Sequence, residues 1–131
     1  MDLIKVVCAI VCHQKQYFIC RRRPGKSLEG YWEFPGGKIE ATESHHEALR
    51  RELQEELGME IDIKSFVGQS VFDYGNFKIE LNAYLCDLIQ YDGLLTDHDC
   101  AVWVDYQDLN NYQIAPADLP FLKMLGENDF N

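Results

Sequence analysis

The chain has 131 residues, of which 47% are hydrophobic and 26% charged, and these proportions exclude a disordered or fibrous protein. Its length suits one domain, residues 1–131, that is able to bury a real core. Acidic side chains outnumber basic ones by 22 to 12, and this excess argues against polymeric nucleic acid as a partner, since phosphate backbones require clustered Lys and Arg. A small polyphosphate remains compatible with the charge, because a bound divalent metal can reverse the local field.

The first predicted elements are two strands, LIKVVCAIVC and YFICRRR, joined by a polar turn at residues 13–16. The apolar start of the chain lacks a basic leader and a cleavage site, and no apolar run approaches the roughly 20 residues of a membrane-spanning helix. The five cysteines are odd in number and lie mostly in apolar runs. We therefore expect a soluble, cytoplasmic protein with no membrane partner.

The stretch RRRPGKSLEGYWEFPGGK is rich in Gly and Pro and predicts a loop with one extended piece at Tyr31–Phe34. A helix is predicted from about His45 to Leu57. Ser44 and Glu47 have the spacing of a capping box, and Gly58 supplies a C-terminal stop. Three leucines at four-residue spacing form its apolar stripe: Leu49, Leu53 and Leu57.

Downstream, the stretches IDIKSFVGQSVFDY and FKIELNAYLCDLI predict a strand pair that turns at Gly75-Asn76, and AVWVDY predicts a short strand. PADLPFLKMLG then predicts a closing helix, with Asp118 near its start and Gly126 after its end. The order β-β-loop-β-α-β-β-β-α mixes antiparallel strands with two helices. We therefore predict an α/β sandwich.

The central helix crowds like charges, because Glu52, Glu55 and Glu56 fall within an arc of roughly 100° beside the leucine stripe. Repulsion between such neighbours costs a few tenths of a kcal/mol each, and partial burial raises that cost. A solvated helix face is the ordinary interpretation. The position of the arc at the edge of the core, after a Pro-Gly-Gly turn, instead favours a site for Mg²⁺ or Mn²⁺, which prefer oxygen ligands.

These residues carry a family resemblance. Gly37, Glu43 and the run Arg51–Met59, RELQEELGM, match every fixed position of the Nudix box, G-x5-E-x7-R-E-U-x-E-E-x-G-U, where U is aliphatic. The flanking WEFPGGK is similar to the MutT branch of that family, and with the strands and PADLP the resemblance covers nearly the whole chain. It implies a Nudix α/β/α sandwich with a mixed sheet, and hydrolysis of a nucleoside diphosphate linked to another group.

The resemblance also implies roles. The metal ligands would be Glu52, Glu55, Glu56, Asp97 and the carbonyl of Gly36 or Gly37. Asp99 is an alternative to Asp97, and the family commonly has Glu at that place. Glu52 would orient or deprotonate the attacking water with support from Glu43, although Glu43 also suits a plain acid at a helix N-terminus. Arg51 would hold the glutamates through i,i+4 pairing with Glu55, or form an ordinary surface pair.

For the substrate, Arg23 and Lys38 are the basic candidates for the phosphates, with Arg21 and Arg22 competing with Arg23. Phe34 is a candidate wall for the base, or a core aromatic. Asp118 matches the place where MutT-like proteins read the base edge, or it serves as a helix N-cap. His98 is interpreted as a loop residue rather than a base.

An ionised Asp118 would only accept hydrogen bonds and would suit guanine, including 8-oxoguanine, or the amino group of cytosine. The predicted activity is metal-dependent hydrolysis of a nucleoside triphosphate to the monophosphate and pyrophosphate, with 8-oxo-dGTP or CTP and 5-substituted dCTP as candidate substrates. Mg²⁺, or Mn²⁺ in its place, is the expected cofactor. The alternatives are hydrolysis of ADP-ribose or another nucleoside diphosphate derivative, and a nucleotide-sensing module without catalysis. The protein is expected to be a monomer or a homodimer.

Overall fold

The structure, a computed structural model, describes residues 2–128, with side chains for residues 2–126. In chain order its elements are β1 (Leu3–His13), β2 (Gln16–Arg22), β3 (Trp32–Glu33), β4 (Gly36–Lys38), α1 (His45–Leu57), β5 (Met59–Asp73), β6 (Lys78–Tyr91), β7 (His98–Asp105), a 3₁₀ helix (Tyr106–Asn111) and α2 (Leu119–Asn128). The bounds predicted for α1 are confirmed at both ends. The 3₁₀ helix was not predicted.

The seven strands form one mixed sheet ordered β3-β2-β1-β6-β5, in which β4 also pairs with β1, and β7 with β2. β1 lies at the centre, parallel to β6 and antiparallel to β2 and β4. Gln14 and Lys15 in the β1–β2 turn have φ of 52° and 65°, and positive φ at both central residues is typical of two-residue hairpins. The predicted strand pair that turns at Gly75 is confirmed as β5 and β6.

Alternate side chains of β1 pack on opposite faces of the sheet. Val7 and Val11 contact the leucine stripe of α1, whereas Cys8 and Ile10 belong to a second cluster that includes Phe121 of α2. Each helix therefore covers one face of the sheet, and the predicted α/β/α sandwich is confirmed.

The ends of α1 are fixed by local hydrogen bonds. Ser44 Oγ accepts the amide of Glu47 at 3.1 Å, and Glu47 Oε1 accepts the amide of Ser44 at 2.9 Å, so the capping box is confirmed. Gly58 adopts φ of 59°, a left-handed conformation that favours glycine, and its amide donates to the carbonyl of Gln54.

The prediction that residues 36–38 lie in a loop was wrong. Gly36–Lys38 forms β4, which pairs with β1 so closely that a Cβ on Gly36 would clash with the carbonyl oxygen of Val7. A pair of glycines in a sequence does not predict a strand, because glycine has no side chain to pack against neighbouring strands. Here it permits a close approach between two backbones instead.

Two other predictions were wrong. Gly126 lies inside α2 rather than after it. The absence of a side chain there makes room for the hydroxyl of Tyr106, which donates to the carbonyl of Leu122 at 2.7 Å. His98 is the first residue of β7 and is 3% exposed, not a loop residue.

None of the five cysteines, all of which lie within residues 2–128, forms a disulfide. Between residues 2 and 128, no helix is both long and apolar enough to cross a bilayer.

Candidate active site

The Gly36-Gly37 pair of β4 lies between the sheet and α1. A Cβ on Gly37 would overlap the carboxylate of Glu52, whose side chain is 14% exposed. The carboxylate of Glu52 therefore packs directly on the backbone of Gly37. Only glycine at this position allows the acidic face of α1 to approach β4 so closely.

Arg51 holds the acidic side chains together. Its Nε and Nη2 donate to the two carboxylate oxygens of Glu43 at 2.6 and 2.8 Å, and its Nη1 donates to Glu52 Oε1 at 2.9 Å. Nη2 also donates to the carbonyl of Lys38 at 3.2 Å. Hydrogen bonds from Arg51 lower the pKa of Glu43 to about 2.

The expected pairing of Arg51 with Glu55 is present but secondary. The Arg51 Nη1 to Glu55 Oε2 distance is 3.4 Å, and the Glu55 side chain is 60% exposed. The bidentate bond to Glu43 is shorter and less exposed, and such paired bonds are stronger than a single exposed contact. Glu43 is thus the main partner of Arg51, a role that its place before the helix did not indicate.

Glu56 faces Asp97, which lies just before β7. Burial, followed by the contact with Asp97, raises the pKa of Glu56 to about 9. Burial also acts to raise the pKa of Asp97, but the contacts with Glu56 and with Lys26, whose Nζ lies 3.3 Å from Asp97 Oδ1, lower it. At neutral pH, therefore, Glu56 holds a proton and Asp97 is charged.

Asp99 lies in a different environment from Asp97. The Nε of Arg21 donates to Asp99 Oδ1 at 2.7 Å, and the guanidinium of Arg21 also lies 5.5 Å from the ring centre of Trp32. Asp97, the residue first chosen from the sequence, is thus the acid that faces Glu56.

The ligand chemistry of this region fits a hard divalent cation. Its donors are oxygens, and Glu56 Oε2 is buried with no hydrogen-bond partner among the described residues. Among those same residues, no three carboxylate, imidazole or thiol groups already converge in metal-binding geometry. In this structure a proton on Glu56 and the guanidinium of Arg51 reduce the repulsion that a cation would remove.

A cavity of about 370 Å³, called here the main cavity, opens beside β4. The residues that line it include Arg22, Ser27, Leu28, Glu33, Phe34, Gly36, Gly37, Lys38, Tyr74, Phe77 and Asp118. Three predicted substrate residues, Phe34, Lys38 and Asp118, thus meet in one cavity. The arginine in its wall is Arg22 rather than Arg23. Arg23 is exposed, and its amide donates to the carbonyl of Asp97 at 3.3 Å.

Asp118 is 4% exposed, and its Oδ2 accepts the amide of Phe34 at 2.9 Å. Burial and, to a lesser extent, the charge of Glu33 raise the pKa of Asp118 well above its usual range. Burial therefore disfavours the ionised form of Asp118 that was expected from the sequence, because a sequence does not reveal how completely a carboxyl group will be buried. Asp118 directly precedes α2, but this oxygen bonds to the chain after β3.

Sequence reasoning missed Glu33 and its contacts with His98 and Arg22. His98 Nε2 lies 2.8 Å from Glu33 Oε2, and Arg22 Nη1 lies 3.3 Å from the same oxygen. Arg22 also donates to the carbonyl and hydroxyl oxygens of Ser27. A charged residue between two aromatics in WEF was the available signal for Glu33, whereas nothing local marked His98 as buried.

The chain is similar to known proteins over most of its length. The family model described as NUDIX domain matches residues 6–124. A CTP pyrophosphohydrolase of Escherichia coli (strain K12) is 34% identical over 125 residues, which cover 94% of this chain and 91% of that protein. A putative 8-oxo-dGTP diphosphatase 2 of Mycobacterium tuberculosis (strain ATCC 25618 / H37Rv) is 35% identical over 115 residues, 86% of this chain and 81% of the other.

The crystal structure of the MutT protein from Methanosarcina mazei Go1 has a TM-score of 0.88 at 23% identity, covering 99% of this chain and 97% of that one. This likeness shows the fold. The family model spans most of the chain and includes the residues around Arg51 and β4 described above. The chain therefore belongs to the Nudix hydrolase family.

Proposed function

We propose that the protein is a metal-dependent pyrophosphohydrolase that converts a nucleoside triphosphate and water to the monophosphate and pyrophosphate. The observation that supports this is the position of Gly37, which touches the carboxylate of Glu52 and also lines the main cavity. A base in the cavity would extend its phosphates across β4 toward Glu52 and Glu56. Two relatives carry names for this kind of reaction, on CTP and on 8-oxo-dGTP.

Mg²⁺, or Mn²⁺ in its place, is the cofactor that the donor set suits. Its ligands would be Glu52, Glu55, Glu56, Asp97 and a carbonyl of Gly36 or Gly37. When bound, a divalent cation neutralises phosphate charge and makes hydroxide available near neutral pH. Glu56 would release its proton as it becomes a ligand. Its Oε2, which has no hydrogen-bond partner among the described residues, would then be available to bind the cation.

Glu52 would orient or deprotonate the attacking water, since its carboxylate lies on Gly37, where the cavity meets the acidic face of α1. Arg51 fixes Glu52 through a 2.9 Å hydrogen bond, and Glu43 fixes Arg51 through two shorter ones. Arg51 and Glu43 are therefore positioning residues. Together they prevent Glu52 from rotating into solvent.

Two basic residues suit the phosphate chain. Lys38 is exposed and lines the main cavity beside Gly37. Arg23 lies outside the cavity wall but next to Asp97, where a triphosphate leaving the cavity would pass. Phe34 and Asp118 would contact the base, since both line the cavity and are joined by a hydrogen bond.

The central test is Glu52→Gln, which preserves size and removes the negative charge. With saturating Mg²⁺ we expect kcat for the best triphosphate to fall roughly 10²- to 10⁴-fold, as is usual for loss of a general base. Glu60→Gln, at an exposed glutamate of β5, is the matched control. Pyrophosphate release measures turnover, and full activity of Glu52→Gln would contradict the assignment.

The same assay separates the alternatives. A nucleotide-sensing module would bind triphosphates without turning any of them over. Faster cleavage of ADP-ribose than of every triphosphate would overturn the substrate class. The excess of acidic residues further supports a small nucleotide rather than nucleic acid as the partner, and cysteines without disulfides suit a cytoplasmic protein. We propose a monomer or a homodimer.

A further inference from the structure

Lys26, in the loop of residues 23–31 between β2 and β3, pairs with one of the carboxylates of the acidic site. Its Nζ lies 3.3 Å from Asp97 Oδ1, and the carboxylate of Asp97 also contacts Glu56. The side chains of Lys26 and Asp97 are 38% and 32% exposed. Water screens an ion pair that is this exposed, so the pair contributes little to stability and is easily exchanged for another.

The backbone of this loop is held by hydrogen bonds that do not involve the Lys26 side chain. Arg22 Nε and Nη2 donate to the carbonyl and hydroxyl oxygens of Ser27 at 3.1 and 3.3 Å. The amide of Lys26 donates to the carbonyl of Arg23, and the amide of Arg23 donates to the carbonyl of Asp97, both at 3.3 Å. The backbone of Lys26 is thus fixed near Asp97, whereas its ammonium ends a flexible four-carbon stem.

Lys26 lies between the main cavity and the acidic face of α1. The next two residues, Ser27 and Leu28, line the main cavity, whereas the Lys26 side chain reaches the carboxylate that contacts Glu56. A phosphate chain that extends from the main cavity toward Asp97 would therefore pass within reach of the ammonium.

The charges around Asp97 change when a divalent cation binds there. The cation repels the ammonium of Lys26 and neutralises the carboxylate that attracted it. A triphosphate brings several negative charges to the same place, and an ammonium group with three donors suits phosphate oxygens. With both present, the phosphates are a better partner for Lys26 than Asp97 is.

We propose that Lys26 pairs with Asp97 in the metal-free protein and moves to the phosphate chain of the substrate when a divalent cation takes Asp97 as a ligand. Lys26 thus competes with the cation in the absence of nucleotide and binds the substrate in its presence. This inference rests on the proposed function, because it takes Asp97 as a metal ligand and a nucleoside triphosphate as the substrate.

Metal binding without nucleotide is the first test. Lys26→Met retains most of the stem and removes the ammonium, so its affinity for Mn²⁺, measured by electron paramagnetic resonance, should rise about two- to fivefold, the range of an exposed ion pair. Lys64→Met removes a lysine of β5 that pairs with Asp62 at 2.8 Å and is the matched control, with wild-type affinity expected. Unchanged or weaker Mn²⁺ binding in Lys26→Met would overturn the inference, since a purely structural role of Lys26 would also weaken the site.

Nucleotide binding should change in the opposite direction. With saturating Mg²⁺, we compare α,β-methylene-dCTP and α,β-methylene-dGTP, which resist hydrolysis, and use the one that wild-type protein binds more tightly. Its Kd should rise about tenfold in Lys26→Met, because a charge-assisted hydrogen bond to phosphate is lost. Lys64→Met should again match the wild type. Equal affinity of Lys26→Met and the wild type would contradict the inference.

Nuclear magnetic resonance of the lysine ammonium groups follows the exchange directly, with the Lys26 signal identified by its absence in Lys26→Met. Mg²⁺ should shift this signal, and the methylene analogue should shift it again, while the Lys64 signal keeps its position. A Lys26 signal that does not respond to the analogue would refute the movement to phosphate. If wild-type protein hydrolyses no triphosphate the proposed function fails, but the Mn²⁺ measurement still decides whether Lys26 competes with the cation.

Discussion

Arg51 is the residue on which the geometry of the acidic site depends most. Its guanidinium divides its donors among Glu43, Glu52 and the carbonyl of Lys38. Arginine presents several donors in one rigid plane, whereas the ammonium of lysine is a single point of charge. The site therefore requires the shape of Arg51 as well as its charge.

Arg51→Lys should lower kcat by roughly 10²-fold, because it retains the charge but releases Glu52 from its fixed position. KM and the far-UV circular dichroism spectrum should change little. Arg50→Lys, at the exposed neighbouring arginine, is the matched control and should leave kcat unaltered. Equal losses in the two variants, or none in Arg51→Lys, would contradict the positioning role.

The protonation of Glu56 makes the stability of the protein depend on pH. Its pKa is raised to about 9 in the folded protein, against roughly 4.3 when unfolded. Its contribution to stability is thus fully present below the unfolded pKa and is lost as pH rises through about 9. Metal-free protein should lose at most about 1.4 kcal/mol of unfolding free energy per pH unit over this interval.

Glu56→Gln should flatten this dependence, because the amide neither titrates nor repels Asp97. Urea unfolding at pH 5, 7 and 9 measures it. Glu55→Gln, at the exposed glutamate next to it, should keep the wild-type slope. Of these three pH values, Mg²⁺ should raise the stability of wild-type protein most at pH 9, where a large fraction of Glu56 has lost its proton. If the free energy of unfolding of Glu56→Gln falls with pH as steeply as that of the wild type, another group is responsible.

At the scale of elements, β4 joins the fold to the site through two glycines with different neighbours. Gly36 faces the backbone carbonyl of Val7, which cannot move without disturbing the pairing of β1 and β4. Gly37 faces the end of the Glu52 side chain, which a Cβ could displace only by breaking the hydrogen bond of Glu52 with Arg51, while leaving the backbone in place. A substitution at Gly36 should therefore mainly lower stability, whereas a substitution at Gly37 should mainly lower activity.

Gly36→Ala should destabilise the protein by roughly 2 kcal/mol or more, since backbone must shift. Gly37→Ala should cost less than about 1 kcal/mol but lower kcat roughly 10²-fold by displacing Glu52. Thermal unfolding and pyrophosphate release, measured on both variants, test the pair, and each variant is the control for the other. Equal effects on stability would contradict the steric assignment.

The whole molecule contains two apolar clusters, one on each face of the sheet, and each includes a tryptophan at its edge. Trp32 packs against the cluster under α2, and Trp103 packs against the cluster under α1. Both clusters share the strands of one sheet, with β1 between them. We therefore infer that residues 1–131 form a single domain that unfolds cooperatively.

Trp32→Phe and Trp103→Phe each leave one tryptophan to report on one face of the sheet. Urea titrations of the two variants, followed by fluorescence and by far-UV circular dichroism, should give coincident transitions within each variant. Wild-type protein followed by circular dichroism is the reference. A fluorescence transition that clearly precedes the circular dichroism transition in either variant would indicate two separate units.

Features that depend on neighbours in the chain could be predicted. The capping box at Ser44, the stop at Gly58 and the leucine stripe follow from fixed helical spacing, and the structure confirms all three. The spacing of the glutamates also indicated the acidic face of α1. β4 and the interior position of Gly126 were missed, because close contacts with Val7 and Tyr106 override the usual behaviour of glycine.

The amino-acid sequence by itself determined the family, the ends of α1 and which glutamates share one face, because backbone geometry converts spacing along a helix directly into position. The tertiary structure alone decided that Asp118 is buried, that Glu43 is the main partner of Arg51 and that Asp97 faces Glu56. Protonation and pairing depend on burial and on distant groups, and the Phe34 to Asp118 bond joins residues 84 positions apart.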